Sequence, residues 1–173
     1  MIFIQMSGVP GSGKSTLSKS ISEYLDVVVV DHDVTKTSLM GMGNNQLSSL
    51  DIGKVSYDID WLLIEMLLSQ NKNVIFDSPC LYDEIIEKGM ALSEKYRATY
   101  KYVECKNMDF NDIMQRLKSR KAKISQITKY KSYDVFYKAL IGSKRPDNDN
   151  FIIVDTSQPI SSYIMRVVHY INN

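Results

Sequence analysis

Short apolar runs alternate along the chain with stretches in which apolar residues recur every three or four positions. The runs indicate β-strands, and the second pattern indicates amphipathic helices. Five runs have strand length and cover residues 2–6, 27–30, 73–76, 100–104 and 151–154. This alternation predicts an α/β fold in which helices cross between the strands of a parallel sheet. The four consecutive valines of the second run predict a strand that is buried on both faces.

Helical periodicity is clearest between residues 52 and 67, where one apolar face is predicted from Ile52, Val55, Ile59, Leu62, Leu63, Met66 and Leu67. Further helices are predicted over residues 16–25, 82–92, 110–117 and 160–171. A short helix is predicted to end at Gly142, and no strand pattern occurs between residues 118 and 145. The stretch 33–53 is expected to be a loop, since it contains Gly41, Gly43, Asn44 and Asn45. Because no repeat or linker divides the chain, residues 1–173 are expected to form one domain.

Residues 8–16 form the sharpest motif of the chain. Their sequence, Gly8-Val9-Pro10-Gly11-Ser12-Gly13-Lys14-Ser15-Thr16, fits the pattern G-x-x-x-x-G-K-[ST] between a predicted strand and a predicted helix. Glycines let such a loop turn its backbone N–H groups toward phosphate oxygens, and the following helix adds its positive N-terminal end. Lys14 is predicted to reach the β- and γ-phosphates, and the Ser15 hydroxyl to coordinate Mg²⁺. The remaining predicted nucleotide-binding residues are Gly8, Gly11, Ser12, Gly13 and Thr16.

Three aspartates follow predicted strands: Asp31 and Asp33 come after the second strand, and Asp77 follows the third. Ligands of open parallel sheets bind at the carboxyl ends of the strands, and a kinase needs one carboxylate near the metal and one near the acceptor hydroxyl. Asp77 is therefore predicted to contact the metal, directly or through water. Asp33 is predicted to be the base, with Asp31 as the second candidate. His32 is predicted to be a bystander, because neighbouring side chains on an extended segment point to opposite sides.

Charge is unevenly distributed, although the formal net charge is only +1. From Arg116 to Arg145 the chain has ten Lys or Arg residues and one acid, Asp134. A local basic block favours an anionic ligand, and a lid that closes over ATP would have one beneath it. Residues 118–145 are therefore predicted to form a lid. Arg116 and Arg120 are predicted to share one helix face, where one can stack on a base and the other can clamp phosphate.

The composition, 44% hydrophobic and 24% charged, is typical of a globular domain. Cys80 and Cys105 lack metal-ligand spacing and are predicted to lie in or near the core, which favours a reducing compartment. The N-terminal run has neither the basic region nor the long apolar region of a signal peptide. No apolar run approaches the roughly 18 residues of a membrane helix. A cytoplasmic protein with no membrane partner is therefore expected.

The phosphate loop, the position of Asp33, the strand that leads to Asp77 and the pair of arginines resemble the adenylate-kinase-like P-loop kinases. The chain is most similar to the branch of zeta toxins, chloramphenicol phosphotransferase and polynucleotide 5′-kinases. This resemblance implies a three-layer fold with five parallel strands in the order 2-3-1-4-5, helices on both faces and a mobile lid. It implies Asp33 as the acceptor base, Arg116 on the adenine and Arg120 on the transferred phosphate. That branch often carries an arginine three residues after the acceptor-side aspartate, where this chain has Lys36.

These features predict an ATP- and Mg²⁺-dependent kinase that phosphorylates a small molecule. The acceptor is not identified, because residues 33–53, which are expected to shape its pocket, contain no decodable motif. A protein that binds ATP without an acceptor, and uses it only to change conformation, is also compatible with the phosphate loop.

A GTPase and a nucleic-acid kinase fit the sequence less well. A GTPase is disfavoured because the stretch Asp77-Ser78-Pro79-Cys80 lacks the glycine of D-x-x-G, and Asn71-Lys72-Asn73-Val74 lacks the acid of N-K-x-D. A polynucleotide or nucleotide kinase is a further alternative. A nucleic-acid strand could bind to the basic block, in which Tyr130, Tyr133 and Tyr137 are interleaved with lysines. The net charge of +1 argues against strong general affinity for nucleic acids.

Overall fold

The computed structural model describes residues 1–42, 48–147 and 150–173. Its elements in chain order are β1 (Ile2–Ser7), α1 (Lys14–Tyr24), β2 (Val28–Asp31), α2 (His32–Gly41), α3 (Ser49–Ser69), β3 (Val74–Asp77), α4 (Asp83–Tyr96), β4 (Thr99–Lys106), α5 (Phe110–Ser119), α6 (Tyr133–Ile141), β5 (Phe151–Asp155) and α7 (Ile164–Asn172). A short 3-10 turn (Ile160–Ser162) comes before α7.

The five strands form one parallel sheet in the order β2-β3-β1-β4-β5, which confirms the predicted order. β1 lies at the centre and pairs with β3 and β4. The loop that follows β1 therefore leaves from the middle of the carboxyl edge of the sheet. In the register of β2 and β3, Asp31 lies opposite Asp77, so these two aspartates lie side by side at that edge.

Apolar side chains cover both faces of the sheet, as predicted. On one face, Phe3 and Phe76 pack with Trp61 of α3 and with residues of α4. On the other face, Ile4 and Ile75 pack with residues of α1 and α7. Because alternate residues of a strand point to opposite faces, each inner strand contributes to both cores. Cys80 and Cys105 are buried and unpaired, as predicted.

A third cluster joins the phosphate loop to α5 and α6. It consists of Val9, Ile113, Leu117, Tyr130, Phe136 and Leu140. α6 agrees with the predicted short helix, and its C-cap is Gly142. Phe136 is fully buried, so the second half of the predicted lid packs as a core element. The loop between α5 and α6 contacts Asp31 and the first turns of α2, and its residues 120–129 are called the lid loop below.

The prediction that β2 is buried on both faces is wrong. Val28 is 39% exposed and Val29 is 36% exposed, whereas Val30 is buried. In the part of the chain that the structure describes, β2 is an edge strand that pairs only with β3, so it is less covered than an inner strand. A run of β-branched residues favours a strand at either place, and only the strand order distinguishes them.

The predicted inward face of α3 is also wrong for three residues. Leu62, Leu63 and Met66 are exposed, and the helix instead turns Trp61, Ile64 and Leu68 inward. The buried face also contains Ser56 and Asp60, both of which are fully buried. These polar side chains are tolerated inside the protein because each has a hydrogen-bond partner. Ser56 Oγ donates to the Ile52 carbonyl (2.5 Å), and the Asp60 carboxylate accepts hydrogen bonds from side chains of α2.

The stretch 33–53, expected to be a loop, is mainly helical. α2 begins directly after β2, because the Asp31 carboxylate accepts a hydrogen bond from the Asp33 N–H and caps the helix. α3 begins after Ser48, whose side chain forms a capping box with Asp51. Gly43, Asn44 and Asn45, predicted as loop residues, lie outside the described residues.

Candidate active site

The phosphate loop depends on glycine at three positions. Gly8, Gly11 and Gly13 have positive φ angles of 135°, 87° and 89°. A Cβ at Gly8 would collide with the Cys105 carbonyl oxygen, and a Cβ at Gly11 would lie 3.2 Å from Leu117 Cγ. The motif thus combines left-handed backbone with close packing, and both requirements exclude larger residues.

Several hydrogen-bond donors lie in the phosphate loop. Gly13 is the N-cap of α1 and provides no side-chain acceptor, so the first N–H groups of that helix are not capped by a side chain. Ser12 Oγ is buried and has no partner among the described residues. The Lys14 ammonium donates to the carbonyls of Gly8 (2.7 Å) and Val9 (3.3 Å) and so lies folded over the loop. This arrangement suits the phosphates of a nucleotide.

Asp77 and Ser15 form a pair of oxygen donors beside the loop. Burial raises the pKa of Asp77, the nearby Lys14 ammonium and a hydrogen bond from Ser15 lower it, and the charges of Asp31 and Asp33 raise it again. A cation would relieve both the burial cost and the repulsion among these carboxylates. Hydroxyl and carboxylate oxygens are ligands that Mg²⁺ prefers, so the residues present fit this ion.

The protein can supply only part of such a coordination sphere. Within the described ranges, no group of three or more His, Cys, Asp or Glu side chains is arranged to hold a metal ion. Mg²⁺ usually keeps several waters and binds through one or two carboxylates together with substrate phosphates. The Ser15–Asp77 pair is therefore consistent with a metal that arrives with the nucleotide.

Asp31 and Asp33 have different surroundings. Asp31 caps α2 and forms an ion pair with Lys123 of the lid loop. Asp33 lines the wall of the central cleft, where its carboxylate accepts a hydrogen bond from Gln126 Nε2 (2.6 Å). Both carboxylates thus have partners in the lid loop, but of the two only Asp33 is among the residues that line the cleft.

Arg116 is held beside the phosphate loop, at the end of the cleft that lies away from Asp33. Its Nη2 donates to the Thr156 carbonyl (2.8 Å) and forms an ion pair with Asp112 (2.7 Å). Its Nη1 approaches Gly13, since a Cβ built there would lie 3.7 Å from it. Thr156 and Tyr163 also line this end of the cleft. A guanidinium held in this way offers a planar surface beside the loop.

Arg120 does not share a helix face with Arg116, because α5 ends at Ser119 and Arg120 has extended backbone angles. Both arginines still line the same cleft. Arg120 Nη2 donates to the Ile127 carbonyl (2.7 Å), while its Nε is buried and has no partner in the described part of the chain. A buried guanidinium nitrogen without an acceptor is suited to an anionic ligand.

One continuous cleft of about 1560 Å³ connects these groups. It extends from Arg116 and Tyr163, past the phosphate loop and Asp77, to a second end that is lined by His32, Asp33, Lys36, Tyr57, Trp61 and Lys88. Pockets for single ligands usually measure about 300–1,000 Å³, so this cleft has room for two substrates.

The second end contains a buried network that sequence analysis missed. His32 lines the cleft, and its Nδ1 donates to Asp60 Oδ2 (2.7 Å). Thr35 Oγ1 donates to the other Asp60 oxygen (2.6 Å), and the Tyr57 ring stacks on His32 at a centroid distance of 4.0 Å. The alternation expected for an extended segment does not apply at His32, because α2 begins at this residue, and its role as a bystander stays a prediction. The signal in the sequence that could have revealed this network is Asp60, an aspartate on the helix face that packs inward.

Replacing Asp60 with alanine is expected to destabilise the fold, because the donors of His32 and Thr35 would lose their acceptor inside a buried site. The expected loss of unfolding free energy is about 2–6 kcal/mol, since each of the two buried donors without a partner costs roughly 1–3 kcal/mol. Urea denaturation measures it, with Asp58→Ala on the exposed side of the same helix as the control. Equal unfolding midpoints for the two variants would show that the network contributes no stability.

No helix in the described ranges is both long and apolar enough to cross a membrane.

Solved structures share this fold at low sequence identity. A candidate kinase from Chloroflexus aurantiacus J-10-fl has a TM-score of 0.77 and 18% identity, and the match covers 98% of this chain and 97% of that chain. A gluconokinase from Sinorhizobium meliloti 1021 has a TM-score of 0.64 and 18% identity, with 99% and 91% covered. The APS kinase CysC from Mycobacterium tuberculosis, in complex with AMPPNP and APS, has a TM-score of 0.60 and 14% identity, with 99% and 98% covered.

These structural neighbours are P-loop kinases, in agreement with the broad group that the sequence resembles. The closer similarity to the branch of zeta toxins and chloramphenicol phosphotransferase stays a prediction. A model of the AAA domain family AAA_33 matches residues 3–132, which include the phosphate loop, all three aspartates and both arginines of the cleft. This match spans well over half of the chain, and the protein therefore belongs to the AAA domain family AAA_33.

Proposed function

We propose that the protein is an ATP-dependent kinase that transfers the γ-phosphoryl group to a hydroxyl, or to a phosphate, of a small molecule. The observation that carries this proposal is the single cleft that contains the phosphate loop near its middle and Asp33 on the wall beyond it. A protein that only bound nucleotide would not need a second, walled space next to the γ-phosphate position. The kinase neighbours with the same fold support the proposal.

In the proposed reaction, the backbone N–H groups of the loop and the Lys14 ammonium hold the β- and γ-phosphates. Mg²⁺ bound at Ser15 and Asp77 would neutralise charge on the phosphate oxygens. Asp33 accepts the proton of the acceptor hydroxyl as the acceptor oxygen forms a bond to the γ-phosphorus. The bond from the γ-phosphorus to the β–γ bridging oxygen breaks, and ADP leaves with that electron pair. Arg120, which lines the same cleft, is proposed to stabilise charge on the transferred group.

The acceptor end of the cleft does not define one compound. Its charged residues include both signs, with Lys36 and Lys88 facing the same space as Asp33. Trp61, the single tryptophan of the chain, also lines this end, so its fluorescence provides a reporter for acceptor binding.

The experiment that tests this proposal measures ADP release from Mg·ATP in the presence of pooled metabolites. A kinase should release ADP faster with one pool, and subdivision of that pool should identify a phosphorylated product. The Lys14→Ala variant is the control for contaminating kinases. If ATP binds and no pool raises ADP release above the rate without acceptor, the protein is a nucleotide-binding module.

Nucleic acid is a weaker candidate for the acceptor. Tyr130, one of three tyrosines that could have stacked on bases, is buried in the third cluster. Tyr133 and Tyr137 are exposed, but they stack on each other at a centroid distance of 5.9 Å. The set of aromatic side chains available to bases is therefore smaller than the sequence suggested.

The two arginines are expected to affect different steps. Arg116→Ala should mainly raise the Kd for ATP, because the guanidinium plane at the Thr156 end of the cleft is lost. Arg120→Ala should mainly lower kcat, by roughly 10²-fold or more, because it removes a donor to the transferred phosphate. Calorimetry with a non-hydrolysable ATP analogue and steady-state kinetics separate the two effects. Wild-type behaviour of both variants would contradict these roles.

A further inference from the structure

One turn of the lid loop contacts the first turn of α2. The Gln126 N–H donates to the Lys123 carbonyl (3.0 Å) and closes this turn. In the same turn, the Gln126 side-chain oxygen accepts from the Lys123 N–H (3.1 Å). Because its oxygen is already bonded, the amide orientation of Gln126 is fixed, and its nitrogen points out of the turn.

That nitrogen donates to Asp33 Oδ2 at 2.6 Å. The other carboxylate oxygen, Oδ1, lies 3.5 Å from Ser125 Oγ, at the limit of a hydrogen bond. One oxygen of the proposed base is therefore firmly held, while the other keeps its capacity to accept a proton. Both Gln126 and Asp33 line the cleft.

Further contacts attach the turn to α2 and to its N-cap. Lys123 forms an ion pair with Asp31, which caps the helix. Ser125 Oγ lies 2.8 Å from Thr37 Oγ1, within hydrogen-bond distance. These contacts lie on both sides of Asp33 along the helix, so Gln126 reaches Asp33 when the turn is docked in this position.

We infer that Gln126 is a positioning residue, which holds the Asp33 carboxylate in the orientation that accepts the proton of the acceptor hydroxyl. This inference rests on the proposed function. In the transfer step, the proton moves from the acceptor oxygen to Asp33 Oδ1, while Oδ2 stays hydrogen-bonded to Gln126. The lid loop also carries Arg120 and Lys121, which line the same cleft. Docking of this loop would therefore complete the phosphate side and the acceptor side of the site together.

The same contact has an opposite interpretation, in which Gln126 blocks the base until an acceptor displaces it. The two interpretations predict opposite changes in rate. If Gln126 positions Asp33, its removal lowers kcat. If Gln126 blocks Asp33, its removal raises kcat.

The first test is the Gln126→Ala variant, assayed for Mg·ATP turnover with the acceptor found in the metabolite screen, or for slow transfer to water. A fall in kcat of about tenfold is expected, because small displacements of a reacting group are costly. KM for ATP should stay within about twofold of wild type, since nucleotide contacts are untouched. Gln115→Ala, an exposed glutamine on α5, is the matched control and should leave both constants unchanged. An unchanged or raised kcat for Gln126→Ala overturns the inference.

A second measurement tests the contact between Gln126 and Asp33 without measuring turnover. Thermal midpoints are compared for wild type, Gln126→Ala, Asp33→Ala and the double variant. Non-additive midpoint shifts are expected, since contacting residues couple and distant residues do not. Additive shifts would show that the contact is absent and would overturn the inference.

The combined outcomes separate this inference from the proposed function. Non-additive midpoints with unchanged kcat would make Gln126 a structural residue and refute its positioning role. The other outcome combines non-additive midpoints among the variants with a wild-type protein that transfers phosphate to neither metabolites nor water. It would refute the proposed function, and with it the assignment of Asp33 as a base.

Discussion

Replacing Lys14 with alanine is expected to weaken ATP binding and to lower phosphoryl transfer by roughly 10³-fold, because the ammonium stabilises charge that develops on the phosphates. The lysine lies over the phosphate loop, where its Nζ contacts the Gly8 carbonyl at 2.7 Å. Binding of a nucleotide would exchange these carbonyl contacts for phosphate oxygens. Isothermal titration calorimetry with an ATP analogue measures the affinity, and ADP release measures the rate.

Lys19→Ala is the matched control for this prediction. Lys19 lies on the same helix and is exposed, so its removal changes the net charge equally without touching the loop. If Lys14→Ala binds and turns over ATP as the control does, the phosphate loop is not the nucleotide site.

Replacing Asp33 with asparagine is expected to preserve ATP binding and to lower transfer by about 10²–10⁴-fold, the contribution of a positioned general base. Asparagine has nearly the same shape and can still accept a hydrogen bond from Gln126, so the fold should persist. It cannot accept the proton of the acceptor hydroxyl at neutral pH. The measurements are kcat with the identified acceptor, or the slow transfer to water, together with a thermal melt of each variant.

Asp31→Asn is the comparison for Asp33→Asn and should lose less activity. An asparagine at this position can still cap α2, although the ion pair with Lys123 is lost. A large loss in Asp31→Asn with little loss in Asp33→Asn would reverse the two assignments. If neither variant changes transfer while ATP still binds, neither carboxylate is the base.

Much of the fold could be predicted because its signals are local. The phosphate loop needs glycines at fixed spacing, and the structure gives Gly8, Gly11 and Gly13 the positive φ angles that only glycine adopts easily. Short apolar runs predict all five strands, and the spacing before Gly142 predicts α6. The carboxyl-edge rule brought Asp31, Asp33 and Asp77 into one region, which the register of β2 and β3 and the electrostatics of Asp77 bear out.

The wrong predictions of burial share one cause, because an apolar residue is buried only where neighbouring elements cover it, and the local pattern does not specify those elements. Val28 and Val29 are exposed because β2 is at the edge of the sheet. Leu62 and Met66 are exposed because α3 turns a face with polar residues inward. Asp60 can occupy that face only because α2 supplies His32 and Thr35 as donors. Hydrophobic periodicity contains no information about such partners.

The sequence by itself determined the phosphate loop, the alternation of strands and helices, and the set of carboxylates at the sheet edge, because each depends on residues close together in the chain. Only the tertiary structure decided which carboxylate faces the cleft and what holds it. Asp33 and Gln126 are 93 positions apart, and His32 and Asp60 are 28 apart. Hydrogen bonds between such distant residues form only after the sheet order and the helix packing have brought them together, and the spacing of residues along the chain does not encode that arrangement.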